Sequence, residues 1–397
     1  MGVGRKTILF LTGTRADFGK IKPLIEDVER SSDFEAHIFA TGMQMLARYG
    51  STVNEIHRAG FKHIFPYINQ DGAINSQMDL VLANTVQGLA HYVREFKPDL
   101  IVVHGDRIEA LAGAIVGALD NILVAHIEGG EVSGTVDELI RHAVTKLSHL
   151  HFVSNNEARQ RLIQMGESQD VIFVVGSPDI DVMLSNQLPN LSEVKTRYEI
   201  TFDEYCIFIY HSVTTELHLL KQHIGGIIQA LEGSGMRFVV IYPNNDTGAE
   251  IILEAYASLD DNQRFRIIPS MRFEYFLTLL KNAKAIIGNS SAGIREAPVY
   301  GVPTINIGTR QMNRFNYPSI INVSEDKGVI LSVLNNLPTS LIPSMHFGKG
   351  ESATLFMKHL RNPNLWSTPC QKHFQDLEAV STRSTLSCPT MVQPRCD

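Results

Sequence analysis

Residues 124–142 read VAHIEGGEVSGTVDELIRH, so the carboxylates Glu128, Glu131, Asp137 and Glu138 follow closely on an apolar strand. Another acid, Asp106, stands beside Arg107 in VHGDR (103–107), just after an earlier strand. Two strands separated by one helix place Asp106 and Glu128 side by side. Carboxylates crowded into a dry cleft repel one another, which raises at least one pKa towards neutrality and separates an acid from a base. Asp137 and Arg141 are four residues apart, share one helical face and are expected to pair. Clustered acids with His126 would also suit a divalent ion. These stretches show no H-x-x-H or D-x-D spacing, however, and carry two arginines among the acids, so proton transfer is the better reading.

A second group of residues suits an anion. In GNSSAGIRE a strand ends at Gly288, and Asn289 or Ser290 is placed to cap a following helix. The first amides of such a helix, with the hydroxyls of Ser290 and Ser291, favour phosphate. Glu296, inside that helix, is placed to accept the two hydroxyls of a ribose. Arg15 in TGTRADFGK and Arg310 in NIGTRQ are candidates to neutralise a diphosphate by bidentate contacts. His211, in YHSVTT, follows the strand YCIFIY and can donate to a phosphate or a sugar hydroxyl. Each residue alone has an ordinary use: a capped helix, a solvated charge or a structural histidine. Their recurrence just after predicted strands is what points to one site.

The elements that must hold these groups alternate between short apolar runs and longer amphipathic segments. Strands are expected near 7–11, 35–40, 99–103, 122–126, 151–153 and 171–175, with helical patterns at 19–29, 78–96 and 107–119 between them. A second series follows at 205–210, 237–242, 265–268, 285–288 and 304–307. Several of these strands are apolar on both faces, as in a parallel sheet covered by helices. The chain is therefore read as an α/β protein with two doubly wound domains, 1–184 and 205–351, joined by a polar linker, 185–204. The 352–380 segment is helical at its start and packs back on the body. The Ser-, Thr- and Pro-rich stretch 381–397 is expected to lie outside the fold.

Composition narrows the classes further. At 397 residues the chain exceeds one ordinary core. A net charge of −7 without a basic block argues against nucleic acid. No run approaches a membrane span, and the apolar run at the N-terminus is too short for a signal segment. The four cysteines, Cys206, Cys370, Cys388 and Cys396, form no C-x-x-C or mixed Cys/His spacing, which fits a reducing cytoplasm without structural zinc. The G-x-G-x-x-G, P-loop and G-x-S-x-G motifs are absent.

In order along the chain, GTRADFGK, VVHGDRIEALA, HIEGGEVSGTVDELIRHAVTKLSH, YHSVTTE, YPNNDTG and GNSSAGIREAPVYGVPTINIGTRQ closely resemble the hydrolysing UDP-N-acetylglucosamine 2-epimerases. These are the enzymes of bacterial sialic-acid biosynthesis and the epimerase half of the animal bifunctional epimerase/kinase. The likeness runs from about residue 7 to 361, and with no kinase half following it groups the chain with the stand-alone bacterial form.

The resemblance implies a GT-B fold, in which two Rossmann-like domains turn their parallel sheets towards a central cleft, with no cofactor and no metal. It implies UDP-GlcNAc as substrate and UDP with free N-acetylmannosamine as products, formed through a 2-acetamidoglucal. It further implies a cytoplasmic homodimer or homotetramer that engages neither nucleic acid nor membrane. By the same likeness Asp106, Glu128 and Asp137 are catalytic acids, assisted by Arg141 and His211. Arg15, Arg107, Asn244, Ser290, Ser291, Glu296 and Arg310 would hold the UDP and sugar. Which acid is base and which handles water is left open. Competing readings are the same reaction on UDP-N,N′-diacetylbacillosamine, a GT-B glycosyltransferase, and a catalytically silent nucleotide-sugar sensor.

Overall fold

The structure is a computed structural model that describes residues 5–70, 77–133, 136–244, 246–339 and 341–376. The stretch 381–397 and the end of the 352–380 segment lie outside the described residues. The first sheet contains β1 (Lys6–Thr12), β2 (Phe34–Ala40), β3 (His63–Pro66), β4 (Leu100–His104), β5 (Leu123–Ile127), β6 (Leu150–Val153) and β7 (Ile172–Val174). Its order is β3-β2-β1-β4-β5-β6-β7, every pairing parallel. The second sheet contains β8 (Cys206–Ile209), β9 (Phe238–Ile241), β10 (Phe265–Ile268), β11 (Ile286–Gly288), β12 (Thr304–Ile307) and β13 (Ile320–Val323). Its order is β10-β9-β8-β11-β12-β13, again all parallel.

Central strands such as β1, β4 and β8 are buried along their length, because helices cover both faces of each sheet. The two strands not anticipated from the sequence, β3 and β13, are both edge strands. An edge strand can leave one side in water, and HIFP and IINV are correspondingly short and mixed in character.

Two crossings knit the halves together. The helix Pro178–Met183 leaves the first domain and sinks Ile180 and Met183 into the core of the second. The 185–204 stretch folds with that core: it carries the helix Leu191–Arg197, capped by Asn190, and buries Val194, Ile200 and Phe202. The return crossing is the helix Ser352–Leu360, whose Ala353, Phe356, Met357 and Leu360 complete the core of the first domain. Asp181, on the outgoing helix, accepts hydrogen bonds from Ser352 N (2.9 Å) and Ala353 N (2.7 Å). One crossing thereby satisfies the open amides at the start of the other.

In each sheet the strand order reverses beside its first strand, β1 against β4 and β8 against β11. Crevices beyond the carboxyl ends of the strands open at these points. Gly288 marks the second: its φ is +125°, and a Cβ there would stand 1.9 Å from Ile209 O. No side chain can be added at that strand end without parting β11 from β8.

Phe356 is fully buried and meets the Phe152 ring at 4.8 Å, edge to face. Phe356→Ala is expected to destabilise the first domain by about 3–5 kcal/mol. Urea unfolding monitored by circular dichroism checks this, the transition shifting to lower denaturant.

Candidate active site

The two crevices face each other and form a cleft with two compartments. One, of about 200 Å³, is polar and lined by Asp106, Glu128 and Asp137 from the first domain and by Arg295, Arg310 and Arg314 from the second. The other, of about 210 Å³, is largely apolar, with Met43, Ile209, Met271 and Phe276 in its walls. Thr14, Lys20, His211, Ser290 and Ser291 border both.

The polar compartment is organised by Arg295, which is 1% exposed although it carries a full charge. It projects from the loop after β11 into the other domain. There its Nη2 lies 2.7 Å from Glu128 Oε1, and the same fork donates to Glu131 and Ser177 Oγ. Its guanidinium also lies 4.7 Å from the centre of the Phe347 ring. Arg314 adds a contact to Glu131 at 3.1 Å. Burial, the largest single influence, would raise the pKa of both glutamates, but Arg295 acting with His104 and Lys20 on Glu128, and with Arg314 on Glu131, outweighs it. Glu128 therefore falls well below the usual carboxylate range, and Glu131 is lowered too.

Glu128 adopts φ +64°, a left-handed conformation that a non-glycine residue holds at a cost of about 1–3 kcal/mol. The turn directs its carboxylate back over the end of β4. There Glu128 Oε2 is 3.2 Å from His104 Nε2, while His104 Nδ1 is 2.6 Å from Asp17 Oδ1. Burial alone would lower the His104 pKa, but Glu128 and Asp17 raise it to about 9. The array Asp17–His104–Glu128 thus holds a proton between two carboxylates at neutral pH.

The sequence anticipated a carboxyl raised towards neutrality among the clustered acids. The structure moves that property to Asp179, which burial pushes up to about 6 against the opposing pull of Lys20. Asp179 sits behind Glu128 and Arg295, with Lys20 Nζ at 3.3 Å. The crowded glutamates escape the shift because a cation arrives from the other domain, which the spacing within one motif cannot reveal.

The expected Asp137–Arg141 pair does not form. Arg141 points inwards, is 1% exposed, and binds Asp106 and the Glu131 carbonyl (3.1 Å). Asp137 lies nearer the cleft and meets Arg310 of the second domain at 3.2 Å. The helical spacing allowed the pair, but Arg310 of the second domain takes Asp137, while the buried Arg141 turns to Asp106. His126 does not face the acids as a ligand either. Its Nε2 contacts Gly105 O at 2.8 Å and its Nδ1 Thr145 Oγ1 at 3.1 Å, and burial lowers its pKa to about 3.

On the anion side, GNSSAGIRE forms no α-helix. It forms one 3-10 turn, Ser291–Gly293, with Ser290 as cap, and a second, Ala297–Tyr300. Gly293 packs directly on Thr304, and Pro298 lacks the amide that a longer helix would need. The expected first amides of an α-helix are therefore not presented here, while the hydroxyls of Ser290 and Ser291 still border the cleft.

His211 Nδ1 accepts a hydrogen bond from the backbone N–H of Asn244 at 3.0 Å, which leaves the ring proton on Nε2. Burial, with Arg310 and Arg107 nearby, holds its pKa well below the ordinary value, so His211 is a neutral donor. Arg310 also donates to Asn289 O (3.2 Å), and Asn289 holds both backbone groups of His211 (2.7 and 2.8 Å). Glu296 Oε1 meets Lys20 Nζ at 2.5 Å, and its buried Oε2 has no hydrogen-bond partner among the described residues. Arg107 is half-buried, 3.4 Å from Glu109. Arg15 lies on the rim of the apolar compartment, paired with Glu55 (2.8 Å) and Ser270 Oγ (3.0 Å).

Arg295, His104, Lys20, Asp179, Asp17 and Arg314 were not singled out from the sequence. Arg295, His104, Lys20 and Asp17 lie inside motifs that were, GNSSAGIRE, VHGDR and TGTRADFGK, whereas Asp179 and Arg314 lie outside them. The usable signal was a charged residue within a few positions of a glycine at a strand end.

Two facing parallel-sheet domains, with hydroxyls and arginines on one and acids on the other, define a two-domain enzyme of the GT-B type. Residues 26–361 match the family model described as UDP-N-acetylglucosamine 2-epimerase, and the chain belongs to that family. It is 47% identical to a UDP-N-acetylglucosamine 2-epimerase of Neisseria meningitidis serogroup B, over 94% of this chain and 99% of the relative. It is 36% identical to the hydrolysing UDP-N,N′-diacetylbacillosamine 2-epimerase of Legionella pneumophila, over 83% of this chain and 88% of the relative. Among solved structures, the Methanocaldococcus jannaschii UDP-GlcNAc 2-epimerase in complex with UDP-GlcNAc and UDP superposes with a TM-score of 0.77. That match covers 89% of this chain and 99% of the other at 22% identity, a likeness of fold.

The His104 shift has a stability consequence. A histidine whose folded pKa is raised contributes fully below its unfolded value of about 6.5, and the contribution is lost as pH climbs through about 9. The loss is on the order of 3 kcal/mol. The melting temperature is expected to fall between pH 6.5 and 9.5 in the native protein, and to fall measurably less in His104→Gln.

Proposed function

We propose that the chain is a hydrolysing UDP-GlcNAc 2-epimerase, which converts UDP-GlcNAc and water to N-acetylmannosamine and UDP, the first step of sialic-acid biosynthesis. The family supports this reading, but the observation that carries it is the polar compartment itself. Glu128 is kept ionised beside a protonated histidine, with Asp106 and Asp137 around the same cavity.

A C2 proton beside an acetamido group is a very weak acid, so the C1–O bond must loosen before or together with its removal. The departing UDP therefore needs strong electrostatic stabilisation. His211 Nε2–H, the hydroxyls of Ser290 and Ser291, and Arg310 are suited to receive the diphosphate. The apolar compartment suits the uracil, and the unpartnered Glu296 Oε2 suits a ribose hydroxyl. Glu128, ionised over a wide pH range, is fitted to take the C2 proton. Loss of that proton with departure of UDP leaves 2-acetamidoglucal. Asp106 and Asp137 are then placed to direct water to C1 and to return a proton to C2 from the opposite face. Closure of the domains keeps other water out until UDP has left. A cytoplasmic homodimer or homotetramer belongs to the same reading.

The Legionella relative supports a second substrate for the same chemistry, UDP-N,N′-diacetylbacillosamine, which carries an acetamido group at C4. Proton NMR in D₂O separates the outcomes. Free UDP with N-acetylmannosamine deuterated at C2 is expected from UDP-GlcNAc. UDP-ManNAc would make the chain non-hydrolysing. An unchanged spectrum would defeat the UDP-GlcNAc assignment, and turnover of the diacetylated nucleotide would then establish the second substrate. Asp106→Asn, Glu128→Gln and Asp137→Asn should each lower kcat by about 10²–10⁴-fold while UDP binding, followed by calorimetry, persists.

A further inference from the structure

Away from the cleft, the β3 edge of the first sheet gathers Glu35, His37 and His63. His37 and His63 are register partners in the parallel pairing of β2 with β3. Glu35, two residues before His37, points to the same face. The imidazoles stack with centroids 4.6 Å apart and planes 22° from parallel. One carboxylate reaches both rings: Oε1 lies 3.2 Å from His63 Nε2, and Oε2 lies 3.6 Å from His37 Nε2. Among the described residues, no lysine or arginine is within ion-pair distance of Glu35.

We propose that Glu35, His37 and His63 form a binding site for a divalent transition-metal ion of the zinc class, separate from the catalytic cleft, that fastens the edge strand β3 to β2. A four-coordinate zinc ion with ligands at about 2.0–2.2 Å holds them roughly 3.3 Å apart. The two Glu35 oxygens stand 3.2 Å from His63 Nε2 and 3.6 Å from His37 Nε2, and one ligand atom from each of the three residues lies within 4.8 Å of the other two. Two imidazoles and one carboxylate are a characteristic donor set for zinc, with a fourth position left for water.

The buried member is held in place beforehand. His37 Nδ1 is 2.7 Å from Tyr92 Oη, and its ring meets Phe96 edge-on at 5.9 Å. With Nδ1–H donating to the hydroxyl, the Nε2 lone pair faces Glu35, the outer-sphere arrangement that orients histidine ligands. His63 is 44% exposed, so the ion enters from solvent. Glu35 and His37 occupy the first half of β2, whereas the cleft opens beyond its carboxyl end. The ion would therefore act on the strand and on the helix Met78–Phe96, which carries Tyr92, and not on the reaction.

The test uses the full chain without a histidine tag, stripped with a chelator. Titration with Co²⁺ read by its visible ligand-field bands, and with Zn²⁺ by calorimetry, should show a single saturable site. Zn²⁺ should also raise the melting temperature. His63→Ala, at an exposed edge position, should abolish the bands and the thermal shift. Tyr92→Phe should weaken affinity by about 10–100-fold while retaining the site. Failure of the native chain to bind, or unchanged binding in His63→Ala, would overturn the proposal.

Discussion

One guanidinium, carried by the second domain and buried between two carboxylates of the first, is the contact on which the site depends. Without Arg295, Glu128 and Glu131 would face each other in a space closed to water. Removing one partner from such a set typically costs about 3–5 kcal/mol, because the remaining charges are left uncompensated. With Arg295 in place, and His104 beside Glu128, both remain ionised, so part of what keeps Glu128 charged comes from across the cleft. The contact that joins the two domains at the cleft is therefore also one that keeps the acid ionised.

The surrounding structure serves that contact. Glu128 is held in a left-handed turn that aims its carboxylate at Arg295 and His104. Ser177, at the start of the outgoing crossing helix, accepts from Arg295 and donates to Glu128 at 2.5 Å, so the crossing between the domains and the acid site share a hydrogen bond. Lys20 joins the outer side of the network to Glu296 at the end of the cleft that carries Ser290 and Ser291. Binding at one compartment is in this way physically continuous with charge in the other.

Much of this was legible in the sequence because parallel α/β sheets declare themselves. Strands apolar on both faces marked the central elements of both domains, and polar motifs just after them marked the cleft. What escaped has physical causes. The edge strands β3 and β13 need no apolar character on both faces. The 3-10 turns after Ser290 depend on Thr304 lying against Gly293, a contact between distant residues. The partners of Asp137 and Arg141 were exchanged because helical spacing gives which residues can meet, while burial and the second domain decide which do. Arg295 and Asp179 act through another domain or another crossing, and no local motif encodes that.

The most direct test is the pH dependence of kcat/KM for UDP release from UDP-GlcNAc in the native chain and in Arg295→Lys. Lysine keeps the charge but cannot fork between Glu128, Glu131 and Ser177. If the guanidinium holds the acid ionised, the acid limb of the profile moves upward by about one pH unit or more in the variant, with a lower plateau. An acid limb at the same pH in both proteins would contradict the account, since the ionisation of Glu128 would then owe nothing to the residue that grips it.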